Sequence, residues 1–105
     1  DPMLFGMLGT RALAHARLGQ FEEAADWAVK ATMRPNAHAH ILAIAAHCLS
    51  LAGRGDEARA FAARIHQTRP GYSMLDFLRS FRFTTKDEAL FQSAAKDSRI
   101  FRYGT

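Results

Sequence analysis

The stretch from His38 to Cys48 holds the side chains of this 105-residue chain that could bind a metal or act as a nucleophile. His40 and His47 are about 10.5 Å apart along a helix, too far for both to reach one ion through bonds of about 2 Å. His38 lies on another side of that helix. Cys48 follows His47 directly, and helical neighbours point about 100° apart, so they form no nucleophile–base pair. We therefore predict no metal site and no catalytic pair here.

The remaining glycines and carboxylates indicate structure instead of catalysis. Gly53 and Gly55 form a turn between helices, not a phosphate-binding loop. The acidic pairs Glu22-Glu23 and Asp56-Glu57 recur at equivalent helix starts, where they complement the helix dipole. The sequence therefore predicts a protein that is not an enzyme and uses no cofactor.

Charge and composition narrow the choice of partner. The net charge is +4, but Arg59, Arg64 and Arg69 are spaced by five and spiral round their helix. Nucleic-acid binding needs a contiguous basic stripe or a recognition helix, so no nucleic-acid partner is predicted. The apolar stretch Ala39 to Ala52 is shorter than the roughly 20 residues that cross a bilayer.

Cysteine usage and the first residues suggest where the chain belongs. The single Cys48 allows no internal disulfide and is expected to be a buried thiol in a reducing compartment. The chain opens on Asp1-Pro2 without a signal-peptide pattern. We expect a segment of a larger cytoplasmic protein.

Apolar spacing predicts an all-α fold of about six helices. Gly19 and Gly53 end the first and third helices, and Arg34-Pro35-Asn36 stops the second. Asn36 and Ser73 are positioned as helix caps, and Thr85 with Glu88 has capping-box spacing. The predicted helices are Met3–Leu18, Phe21–Met33, Ala37–Leu51, Asp56 to about Thr68, Met74–Phe81 and Lys86–Lys96.

The first four helices carry an internal echo with a period of 34 residues. The run Leu18-Gly19-Gln20-Phe21-Glu22-Glu23-Ala24 matches Ala52-Gly53-Arg54-Gly55-Asp56-Glu57-Ala58. At the same offset, Leu8, Ala12 and Ala28 correspond to Leu42, Ala46 and Ala62. A fixed period of this kind is typical of stacked copies of one supersecondary unit.

The unit of helix, glycine turn, helix and proline loop resembles the tetratricopeptide repeat, a protein-interaction solenoid. The resemblance implies one domain, residues 1–105, built as a right-handed superhelical stack of antiparallel helix hairpins. Repeat 1 would span about 5–36, repeat 2 about 37–70, and an atypical C-terminal helix pair or cap about 73–98. Residues that match the repeat motif are Leu8, Leu42, Ala12, Ala46, Ala24, Ala58, Pro35 and Pro70.

Some positions depart from that family pattern. Arg11 stands where an apolar residue is expected and His15 where an aromatic is usual, while Ala28 and Ala62 replace larger side chains. The places that carry a carboxylate clamp in chaperone-binding members hold Gly9, Leu13, Ala43 and Met74, so no partner of that kind is predicted.

The resemblance places the first helix of each repeat along a concave groove that binds a peptide or a partner domain. For Met74, Phe77 and Phe81 the alternative is that they simply pack on the fourth helix. The candidate groove residues are Leu13, Arg17, His40, Ala43, His47, Ser50, Met74, Phe77 and Phe81.

Residues Gly71 to Leu78 carry a second resemblance, to the C-terminal repeat regions of bacterial class III adenylate cyclases and winged-helix regulators. Two functions are therefore expected as alternatives. One is a non-enzymatic module that binds a protein partner or mediates self-association, and the other is a regulatory segment of a bacterial signalling protein. Self-association would use the aromatic surface of Phe77, Phe81 and Phe101, and Phe81→Asp would then weaken a homodimer.

Overall fold

A computed structural model describes the backbone of residues 2–33, 39–80 and 83–98, and these residues form six helices and their connections. No strand is present among them, so the predicted all-α class is confirmed. Phe81, His38, the loop around Pro35 and the tail with Phe101 lie outside the described residues. The helices are α1 (Pro2–Arg17), α2 (Phe21–Ala31), α3 (Ala39–Leu51), α4 (Gly55–Thr68), α5 (Met74–Ser80) and α6 (Thr85–Ser98).

The two hairpin turns share one geometry at positions 34 residues apart. Gly19 and Gly53 both adopt φ of 78°, a left-handed conformation that glycine adopts without steric cost. Beyond each glycine, a backbone N–H reaches back to a carbonyl five residues earlier, from Gln20 to His15 at 2.9 Å and from Arg54 to Leu49 at 2.8 Å. This Schellman arrangement satisfies carbonyls at the helix end. Such short turns make α1–α2 and α3–α4 antiparallel hairpins.

The caps of the C-terminal helices follow one prediction and correct another. Ser73 caps α5, since its hydroxyl accepts the Asp76 N–H at 3.4 Å and the Asp76 carboxylate accepts the Ser73 N–H at 2.9 Å. The cap of α6 is Thr84, not the predicted Thr85, because the Thr84 hydroxyl accepts the Asp87 N–H at 3.1 Å. Adjacent threonines followed by adjacent acids fit the capping rule in two registers, and the earlier one is used.

Helix α3 is the centre of the packing. It contacts α1, α2, α4, α5 and α6, and every residue from Leu42 to Leu49 is buried. Helix pairs α1–α2, α2–α3 and α3–α4 pack successively, an order compatible with the predicted stack. Small side chains let neighbouring helices approach closely, and the buried alanines include Ala12, Ala46, Ala24, Ala58, Ala28 and Ala62.

Arg11 occupies an exposed position on α1, where the repeat pattern led us to expect an apolar residue. Its guanidinium lies 4.2 Å from the centroid of the Trp27 ring, and the Lys30 ammonium lies 4.7 Å from it. Trp27 is itself packed against the core. The arginine therefore covers an aromatic ring by a cation–π contact, which is how a charged residue is accommodated here.

We expect Gly19→Ala to lower the free energy of unfolding by about 1 kcal/mol, because alanine resists the left-handed conformation. An added Cβ at Gly19 would meet no atom within 4 Å, so the cost arises from the backbone alone. Gly71 also has open space but no positive φ, and Gly71→Ala is the matched control. Urea denaturation should show a loss for Gly19→Ala and no loss for Gly71→Ala; equal effects would contradict the turn geometry.

Candidate functional site

His47 is the buried centre of the predicted groove. It lies in the middle of α3 with no exposed surface. Its Nδ1 lies 2.7 Å from the carbonyl oxygen of Ala43, one turn earlier. A carbonyl oxygen only accepts, so Nδ1 carries the proton. In the neutral ring Nε2 then carries no proton, and it lies 3.3 Å from the Met74 sulfur.

Burial keeps the His47 imidazole neutral. Loss of hydration lowers its pKa from 6.5 to about 4, outweighing the hydrogen bond to the Ala43 carbonyl, which raises it. Charge on a ring without access to water is disfavoured because nothing replaces its hydration. At neutral pH the ring is therefore an uncharged aromatic surface.

Aromatic rings from the C-terminal part of the chain pack around His47. Phe77 of α5 stacks on it, with ring centroids 4.1 Å apart and planes within 13°. Phe91 of α6 meets it edge-on at 5.7 Å. Phe83 completes the cluster, 5.5 Å from Phe77 and 5.1 Å from Phe91. Stacked and edge-to-face rings add stability beyond the area they bury.

Polar contacts flank the aromatic cluster around His47. His40 Nδ1 lies 2.9 Å from the Tyr72 hydroxyl. Tyr72 is buried, and loss of hydration, followed by the negative charge of Asp76, raises the pKa of its phenol. The hydroxyl therefore keeps its proton at neutral pH and can donate it to His40.

Further contacts continue along the groove. The Ser50 hydroxyl donates to the Ala94 carbonyl at 2.6 Å, and Arg17 Nε donates to the Asp87 carboxylate at 2.9 Å. Ser50 thus binds the backbone of α6, and Arg17 binds the side chain of Asp87 in the first turn of α6.

Five of the predicted groove residues lie in the interior, whereas Arg17 is exposed and Phe81 is outside the described residues. Leu13, Ala43, His47, Met74 and Phe77 are buried, so these side chains face other parts of the chain. We expected an open groove, but the α3 positions His47 and Ser50 are covered by residues of α5 and α6. Met74 and Phe77 contact His47 of α3.

Sequence reasoning missed the residues that fill the groove from the C-terminal side. Tyr72, Asp87, Phe91 and Ala94 provide partners for His40, Arg17, His47 and Ser50 respectively. A signal for part of this set exists in α6, because Phe91, Ala94 and Ala95 follow one helical face and all are buried.

A surface pocket of about 590 Å³ remains beside the filled groove. It lies between the end of α1, the start of α2 and the start of α6, so one wall is the Arg17–Asp87 pair. Its lining is mixed, with apolar side chains and a few charges. The lining residues are Ala16, Arg17, Gly19, Phe21, Lys86, Asp87, Ala89 and Leu90.

The chemical candidates of the sequence adopt unreactive positions. Cys48 is fully buried, and desolvation raises the pKa of its thiol to about 12, which opposes the thiolate that nucleophilic attack requires. Within residues 2–33, 39–80 and 83–98, no group of three or more His, Cys, Asp or Glu residues is placed to hold a metal ion.

None of the described helices combines the length and apolar character needed to cross a bilayer.

Comparison of the chain with protein-family models, with curated proteins and with solved structures returned no match.

Proposed function

We propose that this chain is a non-enzymatic protein-interaction module of the tetratricopeptide type, which binds a helical segment on the face formed by α1 and α3. Support for the repeat comes from the two equivalent turns at Gly19 and Gly53. Further support comes from buried alanines at equivalent positions, such as Ala24 and Ala58.

The observation that carries the proposal is the packing of α5 and α6 against residues that the repeat resemblance assigns to a groove. Arg17, His40, His47 and Ser50 all contact residues between Tyr72 and Ala94. At the equivalent positions of the other repeat, these four residues are replaced by other residue types; His47, for example, corresponds to Leu13. The side chains that distinguish one repeat from the other are therefore those that contact the helical occupant.

The chemistry of these contacts is that of a helix bound in a groove. Two aromatic side chains, Phe77 and Phe91, provide buried anchors against His47. Hydrogen bonds at His40 and Ser50 fix the occupant near its ends. Helix-in-groove recognition uses spaced apolar anchors, and energetically dominant contacts cluster in desolvated centres with polar surroundings.

A synthetic peptide of residues 72–98 tests this role against the full-length Phe77→Asp variant. A carboxylate at position 77 would be buried between His47 and Phe91, which is costly, so the chain's own α5 should detach. We expect the labelled peptide to bind this variant at least about tenfold more tightly than wild type, where the attached copy competes at high effective concentration. Fluorescence anisotropy measures the difference.

Leu75→Asp is the matched control, because Leu75 lies on the exposed side of the same helix and its replacement should leave peptide binding at the wild-type level. Circular dichroism checks that Phe77→Asp stays helical; the milder Asp87→Lys, which breaks the ion pair with Arg17, serves if it does not. Absence of peptide binding to a folded variant whose own segment has detached would refute the groove as a helix-binding surface.

A further inference from the structure

The pocket between the end of α1, the start of α2 and the start of α6 combines apolar walls with cationic side chains. Its volume of about 590 Å³ lies within the range of about 300–1,000 Å³ that is usual for small-molecule sites. One wall belongs to a single face of α6, because its lining residues there recur at spacings of three and four. These are Lys86, Asp87, Ala89 and Leu90.

Arg17 presents unused hydrogen-bond donors at the opposite wall of this pocket. Its Nε donates to the Asp87 carboxylate at 2.9 Å, and among the residues that the structure describes it makes no further hydrogen bond or ion pair. The N–H groups on Nη1 and Nη2 are therefore unengaged. They form the planar fork that binds a carboxylate through two parallel hydrogen bonds.

Asp87 holds this fork in place. The Asp87 side chain is 13% exposed, whereas that of Arg17 is 41% exposed. The guanidinium is thus fixed by a largely buried acid and still reaches solvent. A donor group that is already positioned loses less conformational entropy when it binds a ligand.

Lys86 adds a second cation to the same pocket. Its side chain is exposed, and it has no hydrogen-bond or ion-pair partner within the described part of the chain. Arg17 and Lys86 together bring two positive charges against the one negative charge of Asp87, and such an excess attracts anions. The apolar lining at Ala16 and Leu90 favours an anion that carries hydrocarbon over a bare inorganic ion.

We propose that this pocket binds a small apolar carboxylic acid. The carboxylate engages the Arg17 fork and the Lys86 ammonium, and the hydrocarbon part packs on Phe21 and Leu90. The site is additional to the helix-binding role stated above, and none of the positions assigned to a chaperone-type carboxylate clamp lines it. Because Arg17 belongs to α1 and Lys86 to α6, the bound acid bridges the first hairpin and the C-terminal part of the chain.

Isothermal titration calorimetry of the full chain with octanoate tests the proposal. Octan-1-ol keeps the hydrocarbon without the charge, and acetate keeps the charge without the hydrocarbon. Each should bind at least about tenfold more weakly than octanoate, because each lacks one half of the recognition. Absence of octanoate binding up to about 10 mM, or acetate binding as tightly as octanoate, overturns the proposal.

Two substitutions separate the fork from charge alone. Arg17→Lys keeps the positive charge next to Asp87 but loses the fork, and it should weaken octanoate binding at least about tenfold. Lys86→Gln removes a cation without a partner, so it should weaken binding without disturbing the fold. Arg11→Gln is the control, because Arg11 lies over Trp27 on the same helix and outside the pocket. Equal octanoate affinities for wild type and the two pocket variants would contradict the site.

A carboxylate at the end of a peptide offers the same chemistry from another source. Acetyl-Ala-Ala-Leu with a free carboxylate, and its C-terminal amide, form the second arm of the titration. We expect the acid peptide to bind more weakly than octanoate, and tighter binding by this peptide overturns the assignment to a small acid. None of these outcomes alters the experiment with residues 72–98, which tests the helix-binding face itself.

Discussion

Replacement of Phe77 with alanine is expected to lower the free energy of unfolding by about 3–5 kcal/mol. Phe77 is fully buried and contacts the rings of His47, Phe83 and Phe91. Its removal leaves a cavity between α3 and α6 that rigid helices fill only in part. Since the total stability of a domain is about 5–15 kcal/mol, a loss of this size is a large fraction of the whole. Urea denaturation measures it.

The control lies two residues away on the same helix. Leu75 is mostly exposed, so Leu75→Ala should change stability by no more than about 0.5 kcal/mol. Hydrogen exchange adds a spatial readout, because the Phe77→Ala variant should lose protection first in α5 and α6, while the α1–α2 hairpin stays protected. Similar stability losses for the two variants would show that α5 is not anchored through Phe77.

Acid is expected to destabilise the fold through His47. Above about pH 6.5 the ring is neutral in both the folded and the unfolded chain, so the stability that the buried neutral ring contributes is fully present. Between pH 6.5 and about 4 only the unfolded chain binds the proton, so the free energy of unfolding falls as the pH falls. The cumulative loss is about 3 kcal/mol by pH 4, where the folded ring also begins to take a proton.

His47→Leu isolates this effect, because leucine has a similar volume and no proton to bind. The variant forfeits the contacts to Ala43 and Met74, but its stability should fall less steeply than wild type between pH 6.5 and 4. Urea titrations at several pH values give the two curves. Parallel curves would mean that the imidazole does not titrate on unfolding in this range.

The helices follow from local sequence rules for turns and caps. Gly19 and Gly53 mark turns because their backbone conformation excludes most other residues, and Ser73 caps α5 through the acid three residues later. Thr84 shows where local rules stop. Two threonines and two acids allow two equivalent registers, so the local sequence alone does not select between them.

The aromatic cluster around His47 depends on pairing between distant residues, which no local pattern encodes. His47 and Phe77 are 30 positions apart, a separation that does not match the 34-residue period. The sequence placed His47 among the residues that line a groove. In the fold, the Nδ1–H of His47 donates to the Ala43 carbonyl of the same helix, so the rest of the ring can be buried as an aromatic. Local patterns therefore predicted the helices and their turns, but not the pairing of His47 with Phe77 and Phe91.

The burial of Cys48 gives this chain a built-in reporter of its own opening events. The thiol has no exposed surface and a raised pKa, so a thiol-modifying reagent reaches it only when the packing around α3 opens. Labelling rates in the native buffer then measure the frequency of that opening, without denaturant and without an added probe. Departure of α5 and α6 alone and global unfolding would appear as two labelling regimes, with different sensitivities to urea.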